Sequence, residues 1–231
     1  MRAGVINTGL WGMFAGSRTA ERESASAAVR TVAVVKGWNP ARFAQDQVRG
    51  LVRQVFCSSA APVRQVVFSA TEQGTDVHSI CLSTGEMLAR ETLREVAVIG
   101  RARVGDSSGY GSNRSPQLRE ISTRVQDNLW LVPGYEQDMQ GSTVSMHTYL
   151  GEIRKQFEYS VVEAAPSGDS NEAAAMAQLA DGIILVLSAQ RTRRAAAREI
   201  RQALAAAQVR LLGAVLSDRE FPIPDGIYRR L

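Results

Sequence analysis

The sequence predicts an α/β protein, a three-layer sandwich with a mainly parallel sheet. Two observations predict it. Six short runs are apolar at nearly every position, at residues 65–70, 95–100, 129–132, 159–164, 182–189 and 211–216. Segments with helical periodicity or helix-forming composition alternate with them. Strands apolar on both faces and joined by helices belong to a parallel sheet covered on both sides.

Residues 1–40 show no sustained period and read as a flexible leader. Its first residues only briefly resemble a signal peptide, because Asn7, Thr8 and several glycines interrupt the apolar run. Within it, residues 31–35 form a short apolar run with strand character. The domain proper spans residues 41–231. Asn39-Pro40 opens its first helix, since Asn caps well and Pro is tolerated in the first helical turn. The helix covers residues 41–57, with Phe43, Val48, Leu51, Val52 and Val55 roughly on one face. Ser-Ser-Ala-Ala-Pro then breaks the chain before the strand at 65–70. A loop at 71–76 leads into a helix over 77–90, and the strand at 95–100 follows. Residues 101–115, rich in Gly, Ser and Arg, read as a long flexible loop. The strand at 129–132 is closed by Pro133-Gly134. Helices over 144–156, 171–180 and 192–208 separate the remaining strands, the last being Ala-rich with high helix propensity. No internal repeat is visible.

Composition narrows the function classes. With 231 residues, 45% of them hydrophobic and 22% charged, the chain can bury a full core without staples. Its longest near-apolar run, 182–189, is far shorter than the roughly 20 residues that span a bilayer. The formal charge is +4 and unevenly spread: nine basic against three acidic residues over 1–64, and nine against four over 191–231. Basic ends suit lipid headgroups or an acidic partner, or simply a solvated face. Cys57 and Cys81, in apolar surroundings and without a C-x-x-C pair, read as reduced, buried thiols of a cytosolic protein. With His78 and His147 as the only histidines, no metal site is expected. No Gly-x-Ser-x-Gly elbow is present.

Ligands of such folds bind at the carboxyl ends of the strands. Residues 66–89 have the strand–loop–helix layout of a P-loop, in which backbone amides cradle phosphate, a Lys reaches the β/γ-phosphates and a Ser/Thr holds magnesium. Four further matches occur in order. Phe68-Ser69-Ala70 and Leu88-Ala89 bracket the loop and its helix. FEYSVVEAAP (157–166), ADGIILVLSAQRTRR (180–194) and LLGAVLSDREF (211–221) follow. On these segments, over roughly residues 41–231, the chain resembles the cytoplasmic ATPase domain of the bacterial tyrosine kinases of capsular and exopolysaccharide export. That family lies within the wider group of MinD- and ParA-like P-loop ATPases.

The resemblance implies a nucleotide loop that has lost its chemistry. The family's Lys falls on Val77, the preceding Gly on Asp76, and the magnesium-binding Ser/Thr near His78 or Ser79; only Gly74 keeps its place, with Thr75 beside it. An aspartate at 76 puts negative charge where a cation is wanted. The family's Asp-Ala-Asp strand end becomes Gly100-Arg101-Ala102, its third-motif Asp becomes Glu163, and its adenine-contacting Asn becomes Ser217. Phosphoryl transfer is mostly positioning and charge neutralisation, so a site without the Lys and both carboxylates lacks most of that machinery. Arg49 and Arg53 sit on the helix that the family uses for ring contacts, their spacing being four rather than the family's three, and Asp46 lies one turn before Arg49. Tyr228 stands alone where the kinases carry a tail of phosphorylated tyrosines. Arg191, Arg193 and Arg194 begin a helix whose dipole does not favour them, so some anion or neighbour is expected there.

The function expected from the resemblance is that of a degenerate P-loop protein of exopolysaccharide or capsule assembly. It would be a regulatory or scaffolding partner of an inner-membrane polysaccharide co-polymerase or of a true kinase. It would be cytoplasmic or peripheral at the inner membrane, homo-oligomeric if the arginine helix serves as in the family, and without nucleic acid. Neither ATP nor magnesium is expected unless the loop is competent. Two alternatives stay open: a divergent active ATPase or tyrosine autokinase using Gly74, His78, Ser79 and Glu163, and a ParA/MinD-like positioning ATPase.

Overall fold

The computed structural model describes residues 5–6, 40–57, 62–101, 118–135, 146–169 and 171–218. Among them the chain forms one eight-stranded sheet flanked by helices. In chain order these are β1 (Val5–Ile6), α1 (Pro40–Val52), β2 (Gln65–Ala70), α2 (Val77–Thr92), β3 (Val96–Ile99), α3 (Leu118–Ile121), β4 (Thr123–Gln126), β5 (Leu129–Val132), α4 (Met146–Gln156), β6 (Tyr159–Glu163), α5 (Glu172–Leu179), β7 (Gly182–Ser188), α6 (Arg194–Ala206) and β8 (Leu211–Ser217). The spatial order is β1-β8-β7-β2-β6-β3-β5-β4. The six inner strands are parallel, and β1 and β4 pair antiparallel at the two edges.

The alternation of side chains along a strand splits the interior into two cores. On β2, Val66, Phe68 and Ala70 point toward α1 and α2, where they meet Leu51, Val52, Val77, Cys81 and Leu88. Val67 points the other way, into a core shared with Leu118, Tyr149, Leu150, Ile153, Met176, Ile200 and Leu204 of α3 to α6. The expected three-layer sandwich is therefore present, with α1 and α2 on one face and α3 to α6 on the other.

The six expected strands are present, those at 65–70 and 129–132 with the expected bounds and the others differing by one residue at one end or both. The helix read as 41–57 is α1 followed by a π-helical turn, Arg53–Cys57. That turn brings Val55 and Phe56 into the core, where Phe56 meets Tyr159 edge-on at 5.9 Å. Both cysteines are free thiols; Cys81 is buried as expected, but Cys57 is exposed, because the π-helical turn it closes directs Val55 and Phe56 into the core instead. Burial pushes the Cys81 thiol well above its ordinary pKa, and the Glu163 and Asp76 carboxylates add to the effect. A thiol held protonated is a poor nucleophile.

Three elements were not expected. β1 lies within the segment read as a leader and pairs Val5 with Leu216 and Ile6 with Val215. α3 and β4 lie between the strands at 95–100 and 129–132. β4 has no apolar run to announce it: its sequence is TRVQ and its first three residues are exposed. Pairing with β5 through a tight turn holds it, and the Arg124 guanidinium lies 5.7 Å from the Trp130 ring centroid. A charged side chain also suits an edge strand, which it keeps from pairing with other chains. The strand character read at 31–35, most of the loop at 101–115 and Tyr228 lie outside the described residues.

The carboxyl end of the Ala180–Gly182 segment is fixed by hydrogen bonds to the base of β2. Asp181 Oδ2 accepts from the backbone amides of Arg64 (2.7 Å) and Gln65 (2.9 Å), and Oδ1 accepts from Arg154 Nη2 (3.0 Å). Gly182 then opens β7 at φ +152°, where a Cβ would sit 2.5 Å from the Arg210 carbonyl oxygen.

Candidate functional site at the carboxyl edge of the sheet

β2 is flanked by β7 on one side and β6 on the other, and the chain moves outward from it in both directions. The loop that leaves its carboxyl end therefore stands at the switch point where doubly wound sheets bind ligands. That loop, 71–76, ends on the N-terminus of α2. A helix N-terminus offers unpaired amides and a partial positive charge, the usual seat for a phosphate.

Here the chain places its own carboxylate on that seat. Asp76 Oδ1 accepts from the Ser79 amide (3.0 Å), and Oδ2 accepts from Ser79 Oγ (2.6 Å). The Ser79 hydroxyl and amide hold the Asp76 carboxyl below its ordinary pKa, against a smaller opposing effect of burial. Asp76 is thus an N-cap. Val77, the first helical residue, is 5% exposed and packs into the core with Leu88 and Val98. The position that the sequence alignment gives to a lysine therefore carries an apolar side chain turned inward.

His78 leaves the next position of the helix and meets Glu163 at the end of β6. His78 Nδ1 and Glu163 Oε2 are 2.9 Å apart; the His side chain is half-exposed and the Glu largely buried. Gly100, at the end of β3, lies beside the ring, and a Cβ there would make an ordinary contact 3.5 Å from His78 Cε1. The end of β3, which carries no carboxylate, thus lies beside an imidazole.

A second cluster ties the loop to β7 and β8. Gly74 has φ +76°, a conformation that favours glycine, and its carbonyl accepts from Arg191 Nη2 at 2.8 Å. The same guanidinium lies 3.7 Å from Asp218 Oδ2, and Ser188 Oγ donates to that carboxylate (3.1 Å). Thr71 Oγ1 and Thr192 Oγ1 are 2.9 Å apart, and the Ser188 amide donates to Thr192 Oγ1 (2.9 Å). On the other side of the loop, Ser69 Oγ donates to the Ala165 carbonyl (2.6 Å) and sits 2.7 Å from Ser167 Oγ. Thr75 Oγ1 is buried without a partner among the described residues.

Of the residues singled out from sequence, Gly74, Thr75, Asp76, Val77, His78, Ser79 and Glu163 converge at this edge. Ser217 ends β8 nearby but is 5% exposed, and its hydroxyl reaches the Leu187 carbonyl at 3.2 Å, inside the sheet. Arg49 and Arg53 lie elsewhere, Arg49 on α1 and Arg53 at the start of the π-helical turn that follows it. Both donate to Glu91 of α2, at 3.1 Å and 2.9 Å, and Arg49 also meets Asp46 at 3.2 Å. In the isolated chain these arginines thus join two of its own helices. Asp218, Ser188 and Thr192 were not anticipated. Their only signal is position, each falling at or just past the end of a strand, and polar residues there are commonplace.

The cap gives a first prediction. Asp76→Ala removes the acceptor of the Ser79 amide and costs about 1 kcal/mol of stability. Because the folded carboxyl titrates below its ordinary value of 3.8, the contribution is present above that pH and is lost as the pH falls further. Urea unfolding of both proteins at neutral pH and in acid measures it: the gap between them should close in acid.

No family model matches the sequence, and no curated protein matches it. Solved structures do resemble the fold. The kinase domain of Escherichia coli tyrosine kinase ETK is similar over 90% of this chain and 88% of its own, with a TM-score of 0.63 at 16% identity. The VpsO kinase domain is similar over 78% of this chain and 98% of its own, with a TM-score of 0.61 at 15% identity. The BceF tyrosine kinase domain is similar over 75% and 77%, with a TM-score of 0.57 at 17% identity. At such identities the likeness is one of architecture, and on it the chain has the mainly parallel three-layer α/β fold of these tyrosine kinase domains.

Proposed function

We propose that this chain is a non-hydrolysing relative of P-loop tyrosine kinase domains, working by binding rather than by phosphoryl transfer. Its place would be the cytoplasmic side of the inner membrane. There it would regulate or scaffold exopolysaccharide or capsular polysaccharide assembly beside a membrane co-polymerase or a true kinase. The observation that carries the reading is the Asp76 cap. The amide and hydroxyl of Ser79 that would face a phosphate are engaged by a carboxylate of the chain itself, and a phosphate approaching it meets like charge. Val77, buried beside it, supplies no compensating cation. The likeness in fold to ETK, VpsO and BceF supports the kinase-like ancestry. The polysaccharide setting rests on the four sequence segments that resemble the export kinases.

Calorimetric titration of the purified protein with magnesium-ATP and magnesium-ADP tests the proposal, with thermal unfolding as a second readout. No heat and no shift at millimolar nucleotide are expected. A micromolar site would add about 4 kcal/mol of stability at a thousandfold excess of ligand, which is a rise of roughly 8–16 °C for a domain of this size. Such a rise would overturn the reading.

A second reading is an active autokinase or ATPase. The hydrogen-bonded His78–Glu163 pair at the carboxyl edge favours it, since a carboxylate that orients an imidazole is a common arrangement for proton transfer. It requires nucleotide binding, and it requires that His78→Ala and Glu163→Gln abolish hydrolysis while leaving binding intact. The non-hydrolysing reading expects both variants to match the parent, with no turnover in any of them.

A further inference from the structure

One flank of α6 carries charge that no carboxylate among the described residues pairs. Arg194, Arg198 and Arg201 are spaced four and three residues apart, so at 100° per residue they fall within an arc of about 60°. Arg193 precedes them at the N-cap position. All four are exposed. None has an ion pair or a side-chain hydrogen bond among the described residues, whereas Arg49, Arg53, Arg64, Arg119, Arg154 and Arg191 each meet a carboxylate. The single acid of the helix, Glu199, is turned about 100° from Arg198 and away from the stripe.

Elementary helix energetics disfavours this arrangement. Like charges at i,i+3 and i,i+4 destabilise a helix by a few tenths of a kcal/mol per pair. Cations in the first turn also oppose the helix dipole. Ile200 and Leu204 anchor the helix on a face centred about 110° round from the stripe, at 9% and 3% exposure, so the arginines are not needed for packing. Between and around them stand small or polar residues, Ala195, Gln202, Ala205 and Ala206, and α6 presents no exposed large apolar side chain.

We infer that the arginine flank of α6 is a docking face for the anionic surface of a phospholipid bilayer, held by guanidinium–phosphate contacts without insertion of apolar side chains. Charge complementarity sets the ligand class, because guanidinium groups pair bidentately with phosphate. A lipid surface fits better than a nucleic acid for two reasons. The stripe covers only the first two turns of a helix laid flat against its sheet, and no aromatic side chain on α6 offers a base a stacking platform. The inference deepens the membrane-side placement proposed above and rests on it, but it is independent of whether nucleotide binds.

Co-sedimentation of the full chain with vesicles tests it. One set is phosphatidylcholine alone, and the other is phosphatidylcholine with phosphatidylglycerol. Binding is expected to the second set only, weakening as sodium chloride rises. Each basic residue near an anionic surface contributes about 1 kcal/mol, so Arg194→Gln, Arg198→Gln and Arg201→Gln together should weaken it about 100-fold. Glutamine keeps the helix propensity, and matched circular dichroism and unfolding curves exclude a folding defect. Glu199→Gln is the second variant, and it should bind at least as well as the parent. Equal binding to neutral vesicles, or triple-variant binding equal to the parent's, overturns the inference. So does tighter retention of a duplex DNA fragment than of the anionic vesicles at the same salt. Failure here with no nucleotide binding leaves the non-hydrolysing reading standing; nucleotide binding with vesicle binding does the reverse.

Discussion

Asp181→Ala lowers the unfolding free energy by about 3 kcal/mol, the sum expected when two backbone amides and a guanidinium lose one largely buried acceptor. The carboxylate is 20% exposed, so water replaces it only in part. Its three partners come from two distant segments: Arg64 and Gln65 at the foot of β2, and Arg154 near the end of α4. Removing it frees the start of β7 from its neighbour strand and from a helix on one face. Asp181→Asn keeps an acceptor oxygen but not the charge, and should cost roughly half as much. Burial alone would raise this carboxyl's pKa. The amides of Arg64 and Gln65 and the Arg154 guanidinium outweigh that effect and hold it below 3.8. A folded-state pKa lowered in this way stabilises the protein above the ordinary carboxylate range, and the contribution is lost as the pH falls through the folded value. Chemical unfolding of parent and Asp181→Ala from neutral pH down into acid checks it. The difference should be largest near neutrality and shrink below about pH 4. A constant difference at all pH values would show that the carboxylate acts by packing alone.

The contrast between what was legible in sequence and what was not follows from how each element is held. β2, β3, β6 and β7 are buried on both faces, so apart from a few buried polar positions such as Gln65, Ser69, Ser160 and Ser188 their residues are apolar, and the run is visible in a single line of sequence. β4 is held by one neighbour strand and an arginine over Trp130, and neither leaves a local pattern. β1 is two residues long and is held by pairing with β8, which is distant in sequence, and by its contact with α1. The continuation of α1 as a π-helical turn could not be read either, because Val55 and Phe56 keep the apolar spacing of the helix while the backbone hydrogen bonds change. At the site, the loop and its odd residues were legible because they depart from a familiar layout. What Asp76 does there was not: the sequence shows a negative charge at a phosphate position, and only the Ser79 contacts show that the charge is satisfied. Likewise Arg49 and Arg53 read as a contact surface, while their shared partner Glu91 lies on another helix some forty positions away.

Gly182→Ala should destabilise by about 3 kcal/mol, and for a reason independent of charge. At φ +152° an alanine is strained, a cost of order 1–3 kcal/mol by itself. Its Cβ would also stand 2.5 Å from the Arg210 carbonyl oxygen and 2.8 Å from Leu212 Cγ. The first of these is backbone and cannot rotate away. That carbonyl accepts from the Ile183 amide at 2.9 Å, so relieving the clash breaks the first rung between β7 and β8. The β7–β8 register already shifts between Ile183 and Ile184, which leaves little slack at this point. Gly213→Ala is the control: nothing lies within 4 Å of its Cβ, and replacing a strand glycine there should stabilise by roughly 0.5–1 kcal/mol. Hydrogen exchange at the Ile183 amide, with urea unfolding of both variants, separates the outcomes.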